Sequence, residues 1–236
     1  MKNLPIIFCG IFFILAFSWV GVILSTHSQF GSLQPTSSQL LNAETLEPVD
    51  GMNYTDAQAK VVPAVNNLDD VQYPMALVGK AQRGREAYIS LGCLYCHSQQ
   101  VRRKGFGSDF ERNWGSRQSV PRDYIRQERV LLGSMRTGPD LMTIGQRNID
   151  ESWYLLNLYN PQINSEGSNM PPYAFLFEKH KIDPLLGPSP KALKLPAKYA
   201  IESGYEVLPT ERAEALVAYL LSLKLDYELP EAKFSQ

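Results

Sequence analysis

Apolar residues run from Leu4 to Leu24, "LPIIFCGIFFILAFSWVGVIL", interrupted only by the polar Ser18 and with no charge among them. A helix of that length crosses a hydrocarbon core about 30 Å thick, so the stretch predicts a transmembrane helix. Pro5 falls in its first turn, where a missing N–H is tolerated. Lys2 precedes the run and no Lys or Arg follows soon after it, which orients the N-terminus toward the cytoplasm and the remaining chain outside. A cleaved signal peptide would have a shorter apolar core and a small-residue cleavage site; none follows Leu24, and either reading exports the domain. Cys9 is expected to face lipid or a neighbouring helix.

Between His27 and Met75 the pattern turns polar, rich in Ser, Thr, Gln, Asn, Asp and Pro, with no sustained period. We read residues 1–26 as the anchor, 27–76 as an extracytoplasmic linker that gives reach or wraps a partner, and 77–236 as the folded domain.

Helical periodicity returns in three places. Ala76, Leu77, Ala81, Gly84, Ala87 and Tyr88 approximate one face of "ALVGKAQRGREAYISLGC", with Lys80, Arg83, Arg85 and Glu86 largely on the other. "DESWYLLNLYNP" predicts a second helix, with Asp150 as N-cap and Asn160-Pro161 as its stop. "PTERAEALVAYLLSLKL" predicts a third, capped by Thr210, with Ala213, Leu216, Val217, Leu220 and Leu223 on its apolar face. The small Gly84 would let the first and last of these cross closely, near Tyr88 and Tyr219. No run of alternating strands stands out, so the domain is expected to be mainly α-helical.

Charge adds little, because 23 Lys and Arg against 24 Asp and Glu leave no whole-chain footprint for nucleic acid. Three cysteines are too few for a disulfide scaffold, and Cys93 and Cys96 form the only pair. They stand in "CLYCH" beside His97, one of three histidines. A thioredoxin-type pair would follow a strand in an α/β pattern, whereas here a helix precedes it. Zinc needs four ligands, and only the remote His27 and His180 remain. Haem accounts for each residue: two cysteines one turn apart form thioethers to one porphyrin edge, and the adjacent His97 turns its imidazole to the iron. Covalent haem c is attached outside the cytoplasm, in agreement with the exported topology.

A methionine sixth ligand would come from Met52, Met75, Met135, Met142 or Met170. Met170 in "SNMPPY" is favoured because the following prolines stiffen the loop, with Met135 and Met142 as the alternatives. Pro139 in "RTGPDL" would offer its carbonyl to the second nitrogen of His97. No histidine set remains for an oxygen-reducing centre, and no Ser-His-Asp or Cys-His nucleophile is available outside the haem motif.

"GREAYISLGCLYCHSQQVR", "RTGPDL", "NLYNPQ" and "SNMPPY" resemble the monohaem cytochrome c subunit, the CcoO or FixO type, of cbb-type haem-copper oxidases. The resemblance implies a class I cytochrome c domain on a single N-terminal transmembrane helix in the bacterial inner membrane, the domain lying in the periplasm. It implies thioethers at Cys93 and Cys96, axial ligands His97 and Met170, and Pro139 as acceptor for the imidazole. It also implies single-electron transfer from another c-type cytochrome toward the haem b and haem-copper centre of the catalytic subunit. A monohaem cytochrome of a nitric oxide reductase-like or quinol-oxidising complex, or a haem gas sensor, are the alternatives. After "VR" the chain departs from the family's usual proline-phenylalanine pair and reads "VRRKGF". Nine basic residues follow from Arg102 to Arg136, read either as a surface steering an acidic partner or as a solvated loop.

Overall fold

The computed structural model describes residues 3–31, 33–37, 72–147 and 149–234. Most of the expected linker, with Met52, lies outside these residues. Helix α1, Leu4–Ser18, continues through a π-helical stretch, Trp19–Leu24, into α2, Ser25–Phe30. From Leu4 to Ser28 it is long and apolar enough to cross a membrane, with none of its most apolar window buried by the rest of the chain. Strand β1, Thr36–Ser37, pairs antiparallel with β2, Gln72–Tyr73, and the Arg122 guanidinium donates to the Gln34 carbonyl. The two ends of the expected linker are thereby joined to each other and to the domain.

The domain is built on α3, Gly79–Ser90, and α5, Glu211–Ser222, with α4, Glu151–Tyr159, beside α5. Within the helices the predicted faces are buried: Ala81, Gly84, Ala87 and Tyr88 on α3, and Ala213, Leu216, Val217 and Leu220 on α5; Ala76 and Leu77 precede α3, Ala76 exposed and Leu77 half-buried. Gly84 sets the crossing, because a Cβ there would lie 1.8 Å from the Ala215 carbonyl oxygen. Next to it the rings of Tyr88 and Tyr219 meet edge-on at 5.4 Å. Gly84→Ala should therefore force the helices apart and cost about 1–3 kcal/mol, as overpacking does. Urea unfolding measures it, and an unchanged midpoint would contradict this packing.

Thr210 caps α5 by accepting from the Ala213 amide at 3.3 Å, while its hydroxyl donates to the Leu176 carbonyl. Asp150 holds the N-cap position of α4 without a capping bond, because its carboxylate instead accepts from the Ser152 hydroxyl. Asn160 ends α4 as expected, and its side chain starts the short turn at Pro161–Ile163.

Strands also occur in the domain, which the periodicity does not anticipate. Strand β3, Phe177–Lys181, pairs antiparallel with β4, Tyr205–Pro209, in the register Phe177 to Pro209 and Lys181 to Tyr205. Phe177 at the start of β3 and Val207 at the centre of β4 join the main core. A second, smaller core gathers Val101, Val120, Tyr124 and Met142 with the C-terminal Leu225, Tyr227 and Leu229. Tyr73 stacks on Tyr227 in it, at 4.5 Å between ring centroids.

Candidate functional site

Helix α3 stops at Leu91 because Gly92 takes φ of +76°, a left-handed conformation open to glycine without strain. The chain then makes a single tight turn, in which the Cys96 and His97 amides both donate to the Cys93 carbonyl. Cys93, Cys96 and His97 are thus carried on one turn at the end of α3. Cys93 is half-buried against the main core, whereas Cys96 is exposed. Burial pushes the Cys93 thiol up to about 11, opposite to the lowered value of a redox-active cysteine.

The segment 131–141 clasps this turn through backbone bonds. The Gly138 amide donates to the Cys96 carbonyl at 2.9 Å, Ser134 to Leu94 at 3.2 Å and Leu141 to Ser98 at 2.8 Å. His97 lies flat against this segment, since a Cβ on Gly138 would sit 2.3 Å from its Cε1. His97 Nδ1 lies 2.8 Å from the Pro139 carbonyl oxygen. A carbonyl can only accept, so Nδ1 carries the proton and Nε2 is the free base. Burial lowers the imidazole pKa, against the opposing pull of the Pro139 carbonyl and Asp140, which favours that neutral form.

Asp140 anchors the carbonyl and is the residue that sequence reasoning missed. Fully buried, it accepts from the Ser98 hydroxyl at 2.6 Å, the Gln100 amide at 2.8 Å and the Met142 amide at 2.9 Å. The only local signal for it is an Asp two residues before an amide it could cap. The residues after His97 are held from the other side by two tyrosines. Tyr219 donates to the Gln99 side chain at 3.0 Å and Tyr124 to the Gln99 carbonyl at 2.8 Å. The run "CHSQQVR" is therefore specific because nearly every member has a fixed partner.

Two arginines of the basic stretch are internal rather than steering charges. Arg136 ties Ser98, Gln100 and Asp109 together, with bonds of 2.6 Å to the Ser98 hydroxyl and to Asp109. Burial raises the Asp109 carboxyl, but the Arg136 bonds and the Arg102 amide outweigh it and leave it below the ordinary range. Arg117 forms a fully buried pair with Asp123. Arg103, by contrast, stacks over the exposed Phe106 ring at 3.9 Å.

Met170 is half-buried and packs against the main core that also holds Cys93 and Leu94. The Asn157 amide donates to its sulfur at 3.5 Å. Tyr173 closes this loop by donating its amide to Leu158, and burial followed by the charges of Cys93 and Cys96 raises its hydroxyl pKa. Met142 instead belongs to the second core, and Met135 and Met75 are exposed. His180 lies on β3 beside Glu178, and His27 on α2. Arg147 also comes close to His97: one guanidinium nitrogen donates to the Asp140 carbonyl, while its buried Nε has no partner among the described residues.

The chain matches the family model described as cytochrome c oxidase, mono-heme subunit/FixO, over residues 58–185. That is more than half of the chain and includes Cys93, Cys96, His97, Pro139 and Met170. No curated protein matches it. The chain therefore belongs to the mono-haem subunit/FixO family, and is a haem-carrying electron-transport subunit of a cytochrome c oxidase complex.

Proposed function

We propose that this chain holds one haem c in a class I cytochrome c domain, 77–236, and passes single electrons within a cbb-type oxidase. Cys93 and Cys96 would hold the porphyrin through thioethers, and His97 and Met170 would ligate its iron. The donor would be another c-type cytochrome, and the acceptor the haem b and haem-copper centre of the catalytic subunit. The domain would stand on the periplasmic side of the bacterial inner membrane, with 27–76 as its linker.

The observation that carries this reading is the His97 contact. With Nδ1–H held by the Pro139 carbonyl at 2.8 Å, Nε2 is left as the ligating nitrogen, on the same turn as both thiols. The donor set fits haem in two further respects. Met170 offers a thioether from a loop packed near Cys93, and the buried, unpartnered Nε of Arg147 suits a propionate.

When bound, haem supplies an iron that cycles between ferric and ferrous states one electron at a time. The protein's task is to keep the ligand geometry the same in both. Asp140 does so by pinning the backbone that presents the Pro139 carbonyl, and Gly138 by lying against the imidazole face. Asn157 orients the Met170 sulfur.

A closed sixth position separates this function from gas sensing. The reduced protein in its native membrane fraction should give almost no CO-difference signal from the c-type haem. A strong CO shift in folded protein would overturn the electron-transfer assignment.

A further inference from the structure

The loop that presents the Pro139 carbonyl to His97 is anchored by a negative charge. Asp140 pins it by accepting from the Ser98 hydroxyl and from the Gln100 and Met142 amides. The same charge is felt at the imidazole, where it opposes the burial that lowers the ring pKa. A carboxylate beside an iron ligand favours the ferric state, which carries one more positive charge than the ferrous. Left alone, the anchor would therefore pull the haem potential down.

Arg136 meets that charge. Its Nη2 lies 3.5 Å from Asp140 Oδ2, and its Nη1 lies 2.6 Å from Asp109 Oδ1. Its Nε donates to the Ser98 hydroxyl at 2.6 Å, and the same hydroxyl donates to Asp140 at 2.6 Å. The cation and the carboxylate thus converge on the residue that follows His97, while Asp140 itself follows Pro139. The Arg136 side chain is only 14% exposed and both carboxylates are buried, so water and salt screen the three charges little. A neutral side chain could also reach the Ser98 hydroxyl or the Gln100 carbonyl, but it could not offset a carboxylate. We propose that Arg136 is a positioning residue that holds the haem potential up by neutralising the charge of the Asp140 anchor. The inference rests on the haem reading of His97 and goes beyond it, because neither ligand set nor family fixes the sign of the charge at position 136.

The test is an equilibrium redox titration of the c-type haem in the full chain purified from membranes, with a haem-stained denaturing gel on every variant. Arg136→Gln should shift the equilibrium about tenfold toward ferric iron, a fall of about 59 mV for one electron. Arg136→Lys keeps the charge but loses the planar fork, and should stay within about threefold of the unaltered chain. Asp109→Asn should shift the equilibrium toward ferrous iron, because Arg136 is then left to Asp140 alone. A purely structural tie would move Arg136→Gln and Arg136→Lys alike, and Asp109→Asn in the same direction as both. That pattern, or an unchanged potential in Arg136→Gln, would overturn the proposal. Should Arg136→Gln fail to accumulate, a tenfold shift in Arg136→Lys or a fall in Asp109→Asn would overturn it equally. An unaltered chain that carries no covalent haem on the gel would instead overturn the proposed function, and this inference with it.

Discussion

Arg117→Ala is expected to destabilise the domain by about 3–5 kcal/mol, the cost of stripping one partner from a buried ion pair. Both side chains of the Arg117–Asp123 pair are fully buried. Arg117 donates twice to Asp123, at 2.8 and 3.0 Å, and its Nε donates to the Tyr227 carbonyl at 2.9 Å. Asp123 also accepts from the Tyr227 hydroxyl and the Val120 amide. Alanine at 117 leaves a carboxylate in the second core with two donors and no countercharge, and frees the carbonyl that fixes the C-terminal segment. Leu225, Tyr227 and Leu229 should then loosen first, and with them the stack on Tyr73. For a chain of this size the loss corresponds to roughly 6–20 °C in Tm. Replacing Arg117 by Met together with Asp123 by Leu should recover much of it, because no charge is left buried. A loss below about 1 kcal/mol for Arg117→Ala would show that the pair is not the interior strut described here.

Met170→Ala is expected to leave the haem attached while lowering the midpoint potential. The fall should be on the order of a few tenths of a volt, within the roughly 0.8 V that axial ligation spans. A thioether favours ferrous iron, so its loss favours the ferric form. Met170 sits in a loop closed by the Tyr173 amide on Leu158 and stiffened by Pro171 and Pro172, so the backbone should survive the change. The position freed on the iron should also make the reduced protein bind CO. An unchanged potential and ligand spectrum would move the sixth ligand to another methionine. Met142 would then have to leave the second core, whereas Met135 is already at the surface.

The helices are legible in the sequence because their signals are local. A 3.6-residue apolar period marks α3 and α5, and Gly84 within that period marks the crossing. The contiguous "CLYCH" likewise singles out Cys93, Cys96 and His97 without any knowledge of the fold. What escapes is non-local. Asp140 serves partners at Ser98 and Gln100 some 40 residues earlier in the chain, which no window can reveal. Arg117 and Arg136 read as surface cations because sequence displays charge but not the buried Asp123 and Asp109 that meet it. Strands β3 and β4 escape because residues 182–204 separate them, so no turn signal joins the two runs. The approach of β1 to β2 is hidden for the same reason.

The central claim is covalent attachment of haem at Cys93 and Cys96, and intact-mass measurement tests it most directly. The chain would be purified from membranes, denatured, and weighed with and without the double substitution Cys93→Ala, Cys96→Ala. We expect the unaltered chain to carry the added mass of one haem through denaturation and the doubly substituted chain to carry none. An unaltered chain that shows only its polypeptide mass, or that sheds its haem on denaturation, would contradict the account.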